Sequence, residues 1–149
     1  MSKEILNFAI EIEESIKKFY EDAKEKSKDD ILKDFFNSMI ISKKKYERFL
    51  NSYKDRPYSL KVAKTDRDFG VTEEVVSDDI EFSPNMEFKD AVALAMKKEQ
   101  QLMDTYKVLM EEEEDLSNKD MLRDMANACS NRKASLEEIY NSIAFNEVW

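Results

Sequence analysis

Four charged residues stand where apolar ones are expected: Glu13, Lys43, Glu99 and Lys133. Each interrupts a run of apolar and aromatic residues spaced three and four apart, the inward stripe of a helix. Leu6, Ala9, Ile16 and Tyr20 flank Glu13, and Phe36, Met39, Tyr46 and Leu50 flank Lys43. Ala95, Leu102 and Tyr106 flank Glu99, and Ala126, Cys129, Leu136 and Tyr140 flank Lys133. Facing acids and ammoniums form buried ion pairs. A lysine stripped of its proton acts instead as a base or Schiff-base nucleophile. Tyr20, Tyr46 and Tyr106 lie one or two turns away and offer hydroxyl donors to the carboxylates.

The four charges share a level. Residues 13 and 43 are equidistant from residue 28, and residues 99 and 133 from residue 116. If 28 and 116 lie in the turns of two antiparallel hairpins, Glu13 stands beside Lys43 and Glu99 beside Lys133. The expectation is one mid-bundle layer of two acids and two ammoniums, without net charge. A single seam lysine commonly snorkels to water, but four charges repeated at one level argue for a built cluster. Cys129, beside Lys133 on its seam, reads as a small core residue.

The elements that must position this layer are four periodic segments, 3–26, 30–54, 87–112 and 119–144. Asp29 or Asp30 can cap the second and Ser117 or Asn118 the fourth, while Ser83-Pro84-Asn85 starts the third. The halves resemble each other. Ala9, Glu13 and Tyr20 align with Ala95, Glu99 and Tyr106 at an offset of 86. Asp30, Leu32, Asn37 and Lys43 align with Asp120, Leu122, Asn127 and Lys133 at an offset of 90. This is a helical hairpin written twice. The expected organisation is one domain, 1–149: hairpin 3–54, crossover 55–86, hairpin 87–144 and an apolar tail 145–149. The crossover segment holds the only glycine and both prolines. A helix of 25 residues is about 37 Å long, a distance that a crossover of this length spans easily. Short loops within hairpins and one long crossover make an all-α four-helix bundle of ferritin-like connection.

Bulk composition narrows the function. One glycine and two prolines in 149 residues leave few turns for a sheet. A net charge of −9 opposes nucleic acid and anionic membranes as partners. No apolar run reaches the roughly 20 residues that span a bilayer, and the start, MSKEILNFAIEIEES, does not read as a signal peptide. One cysteine fits a reducing, cytoplasmic setting. The histidine count of 0 removes Ser/His/Asp triads, Cys/His dyads and all His-containing metal sites.

The stretch AIEIEESIKKFYEDAKEKSKDDILKDFFNSMIISKKKYERFL, residues 9–50, resembles the first hairpin of the rubrerythrin-type ferritin-like family. Residues 90–106 and 118–140 are similar to its second. The resemblance implies a di-iron site in which each hairpin gives one Glu and a Glu-x-x-His, reacting with oxygen or peroxide or handling iron. Glu13 and Glu99 match the first-helix ligands. Lys43 and Tyr46, and Lys133 and Leu136, fall on the Glu-x-x-His positions. A register slip of one gives Ser42 and Lys45, and Arg132 and Ser135, which are no better. The expectation is a metal-free member without catalytic residues or cofactor, its ammoniums replacing the metal charge, that works by association, as a homodimer or with a protein partner. Two alternatives stay open. One is a di-iron enzyme drawing ligands from the crossover, such as Asp78, Asp79 or Glu81, or from another chain. The other is an enzyme that uses Lys43 or Lys133.

Overall fold

The computed structural model describes residues 3–53 and 80–148, and among them the only regular elements are four helices. These are α1 (Lys3–Lys26), α2 (Asp30–Ser52), α3 (Phe88–Glu112) and α4 (Leu116–Val148). α1 packs along α2, and α3 along α4, which makes the two hairpins.

Asp29 ends the first turn as expected. Its backbone is extended (φ −119°, ψ 157°), and its carboxylate accepts from the Leu32 amide at 2.8 Å, satisfying one of the amides a helix start leaves open. The Lys28 amide donates to the Pro84 carbonyl at 3.1 Å, tying this turn to the segment before α3. That segment departs from expectation. Ser83 to Met86 forms a turn closed by Met86 N–H to the Ser83 carbonyl, 3.1 Å, and α3 begins only at Phe88. Packing explains the delay: Phe82 sits edge-on to Phe36, and Phe88 edge-on to Phe35, so the chain lies against α2 before it coils.

The start of α4 also differs. Asp115, rather than Ser117 or Asn118, accepts from the Asn118 amide at 3.0 Å, and α4 starts at Leu116. The expected tail is helical as well, since α4 runs on to Val148. The side chains of 145–149, Phe145 and Trp149 included, lie outside the described residues.

The core falls into two clusters. One holds Leu6, Leu50, Tyr53, Tyr106 and Leu122. The other holds Ala23, Leu32, Phe36, Val92 and Leu136. α1 and α4 therefore run from the first cluster to the second, and α2 and α3 run back. The chain leaves α2 at one end, where Tyr53 joins the first cluster, and approaches α3 at the other, where Phe82 and Met86 pack on the second. These opposite ends require the long connection of a ferritin-like bundle. No described helix is long and apolar enough to cross a membrane.

Candidate functional site: a charged layer between two apolar cores

Glu13, Lys43 and Glu99 sit between the two apolar clusters, each in the middle of its helix. They are 1%, 2% and 1% exposed, which places the whole cluster out of reach of water. Lys43 Nζ lies 3.2 Å from Glu13 Oε1 and 2.9 Å from Glu99 Oε2. It also donates to Glu99 Oε1 at 3.2 Å. The Tyr106 hydroxyl donates to the other oxygen of Glu13, Oε2, at 2.5 Å. One ammonium thus joins an acid of its own hairpin to an acid of the other.

Pairing departs from the symmetric expectation at Lys133. That residue is buried at the same level, but its ammonium donates to Gln100 Oε1 at 2.5 Å, while the Glu99 carboxylate is held by Lys43. The expected Glu99–Lys133 pair is therefore replaced by a Glu13–Lys43–Glu99 bridge. Of the three tyrosines, only Tyr106 serves a carboxylate. The Tyr20 hydroxyl is buried without a hydrogen-bond partner, and half-buried Tyr46 packs against the first core. Two neighbours were missed in the sequence. Gln100 follows Glu99 directly, and Arg132 precedes Lys133 and favours the charged form of Glu99. The adjacent cations at 132 and 133 were the available signal, because about a quarter-turn of helix rotation decides which of them faces the layer.

Electrostatics follow the geometry. Burial opposes the Lys43 ammonium, but the Glu99 and Glu13 carboxylates outweigh it and hold its pKa well above the usual lysine range. Burial pushes Glu99 up, against the pull of Lys43. Burial also pushes Tyr20, Tyr106 and Cys129 well up, aided by Glu99 at Tyr20 and Cys129 and by Glu13 at Tyr106. The direction at Lys43 is opposite to that of a nucleophilic lysine, which must shed its proton near neutrality. A cavity of about 230 Å³ on the bundle flank is lined by Lys97 and Lys98 and reaches neither Lys43 nor Lys133.

These shifts share one sign, so their effect on stability adds. A group whose folded pKa is raised contributes stability that is complete below its unfolded pKa and is lost as pH rises through the folded value. The Glu99 loss begins above its ordinary 4.5, and those that act in alkali begin above 9.0 for Cys129, 10.0 for Tyr20 and Tyr106, and 10.5 for Lys43. The protein is expected to unfold cooperatively in alkali, with Tyr20 and Tyr106 ionising only as the helices melt. Near-ultraviolet tyrosinate absorbance and far-ultraviolet circular dichroism, followed together, check this. Ionisation of these two tyrosines ahead of helix loss would contradict their burial.

Lys133→Met separates the observed pairing from the symmetric one. One of its acceptors, Gln100, is neutral and half-buried and can turn to water. The expected cost by urea unfolding is about 1 kcal/mol, the scale of one hydrogen bond. A cost of about 3 kcal/mol or more would restore Lys133 as partner of a buried acid.

The donor set does not suit a metal pair. Lys43 Nζ occupies the point at which a cation would meet Glu13 and Glu99, and a protonated amine has no lone pair to give. Leu136 is apolar, and the Cys129 thiol is held protonated. Among the described residues, no three His, Cys, Asp or Glu side chains are grouped to hold a metal ion. Asp78 and Asp79 lie outside the described residues, and Glu81 is exposed beside the flank cavity.

Fold and layer together define a ferritin-like four-helix bundle with an ion-paired centre. The rubrerythrin family model matches residues 4–144, and the chain belongs to that family. No curated protein and no solved structure matches it significantly.

Proposed function

We propose that this chain is a rubrerythrin-family protein in which Lys43 stands where the family holds its metals, and that it works by association rather than by di-iron chemistry. One observation carries the reading: the Lys43 ammonium bridges Glu13 and Glu99, the two acids that match first-helix ligands. A tethered cation meets the same two carboxylates that a metal would meet, and it needs no metal supply. The layer then serves the fold and joins the hairpins through α2 and α3.

Association, as a homodimer in the cytoplasm, is the role left to such a bundle. Ile31 and Ile41 on α2, at 65% and 60% exposure, are large apolar side chains that a partner could cover.

Iron loading of the purified protein, followed by desalting and elemental mass spectrometry, tests the first half of the proposal. The expected result is near-zero iron. About two irons per chain, the family's complement, would overturn it and turn attention to oxygen and peroxide turnover.

A further inference from the structure

The flank of the bundle holds a cation of a different kind from Lys43. Leu94, Lys97, Lys98 and Gln101 follow one another at helical spacing along one face of α3. With Phe19 of α1 and residues 80–82 they enclose a half-open cavity of about 230 Å³. Half of its lining is apolar: Phe19, Ile80, Phe82 and Leu94. Lys98 reaches into this wall, its Nζ 4.3 Å from the centroid of the Phe19 ring.

Among the described residues that ammonium has no anion. It is half-buried, and among the described residues it makes no hydrogen bond and no ion pair; its contact is the face of Phe19. Glu81 lines the same cavity but is exposed and forms no ion pair with Lys98. A ring face compensates a cation only in part. Burial, reinforced by the neighbouring Lys97, lowers the basicity of Lys98, as expected of an ammonium that has lost water without gaining a counter-ion. The two fully buried cations, by contrast, have oxygen acceptors, Lys43 two carboxylates and Lys133 the Gln100 amide.

We propose that this cavity binds a small organic anion with an apolar body, its carboxylate on Lys98 and its tail among Phe19, Phe82 and Leu94. Apolar walls combined with a placed charged group are the usual form of a small-molecule site. The Gln101 amide stands in the same wall as a second donor. The volume admits roughly eight non-hydrogen atoms at about 30 Å³ each, the share a water takes in the liquid. That is the size of a short fatty acid or a simple aromatic acid. This site is separate from the central layer and stands or falls independently of the proposed function.

Hexanoate is the probe, with hexan-1-ol and hexylammonium as matched neutral and cationic controls, titrated into the isotopically labelled full chain and followed by amide nitrogen–proton correlation spectra. Saturable shifts are expected with hexanoate, confined to residues around 19, 80–82 and 94–101, with a dissociation constant on the order of 1 mM for so small a ligand. Hexanol should bind at least about tenfold more weakly, the worth of one charge-assisted hydrogen bond. Lys98→Met keeps most of the stem's bulk. It should weaken hexanoate by about the same factor and leave hexanol unchanged, which also reports that the pocket is still folded. No saturable shift, shifts centred elsewhere, hexylammonium binding as tightly as hexanoate, or an unaltered hexanoate affinity in Lys98→Met would each overturn the proposal.

Discussion

Lys43→Met is expected to destabilise the fold by about 3–5 kcal/mol at neutral pH, the cost typical of removing one partner from a buried ion pair. Methionine fills nearly the same volume, so the loss is electrostatic rather than a cavity. Glu13 and Glu99, each 1% exposed, lose the ammonium that touches both and are left facing each other. Their response is to take up protons, which caps the penalty. That response has a signature. Carboxyls with folded pKa values raised above the unfolded value bind more protons in the folded state, so the variant's stability rises as pH falls toward about 4.3 and declines as pH climbs. The penalty should therefore shrink in acid. Adding Glu13→Gln and Glu99→Gln to Lys43→Met should recover most of the stability, because an uncharged layer of similar volume is often as stable as an ion-paired one. Urea unfolding across pH measures all of this. A change within about 0.5 kcal/mol, the range of ordinary surface positions, would mean that the bridge contributes nothing to folding.

The pH argument explains why Lys43 and Lys133 should differ although the sequence treats them alike. Seam spacing and distance from the turns placed Glu13, Lys43, Glu99 and Lys133 at one buried level, and there the reading held, because the rise of a helix is fixed per residue. Pairing is set by something the spacing does not carry. A lysine side chain reaches several angstroms in any of its rotamers, and a small rotation of α2 decides whether Lys43 meets one acid or two. Once it meets two, Glu99 is satisfied and Lys133 turns to Gln100. The repeat implied a symmetric layer, whereas the energetics need only that each buried charge find a partner. Helix ends follow the same division. Asp29 was legible as a cap because it stands directly before an apolar run. At α4, Asp115, Ser117 and Asn118 compete within one turn, and the strongest acceptor at the outermost position took the role.

Restoring the family's ligand pattern gives the sharpest contrast with the native layer. Lys43→Glu, Tyr46→His, Lys133→Glu and Leu136→His together write a Glu-x-x-His on α2 and on α4, beside Glu13 and Glu99. Iron bound after loading is expected to rise from near zero to about two per chain. Without metal this variant should be much less stable than the native chain, since four carboxylates would then share one dry layer with no cation. With metal it should recover, by the linkage that any ligand of the folded state exerts. Its melting temperature should therefore depend on metal concentration, while that of the native chain should not. A second variant, Tyr46→His with Leu136→His alone, separates ligand supply from charge. It gains two imidazoles but keeps both ammoniums, and it should remain metal-free. If it binds iron, Lys43 is not what excludes the metal. If the fourfold variant folds and stays metal-free, then the rest of the layer, from the Tyr106 hydroxyl on Glu13 to the apolar packing around position 136, has moved too far from a metal site for the lysines alone to account for it.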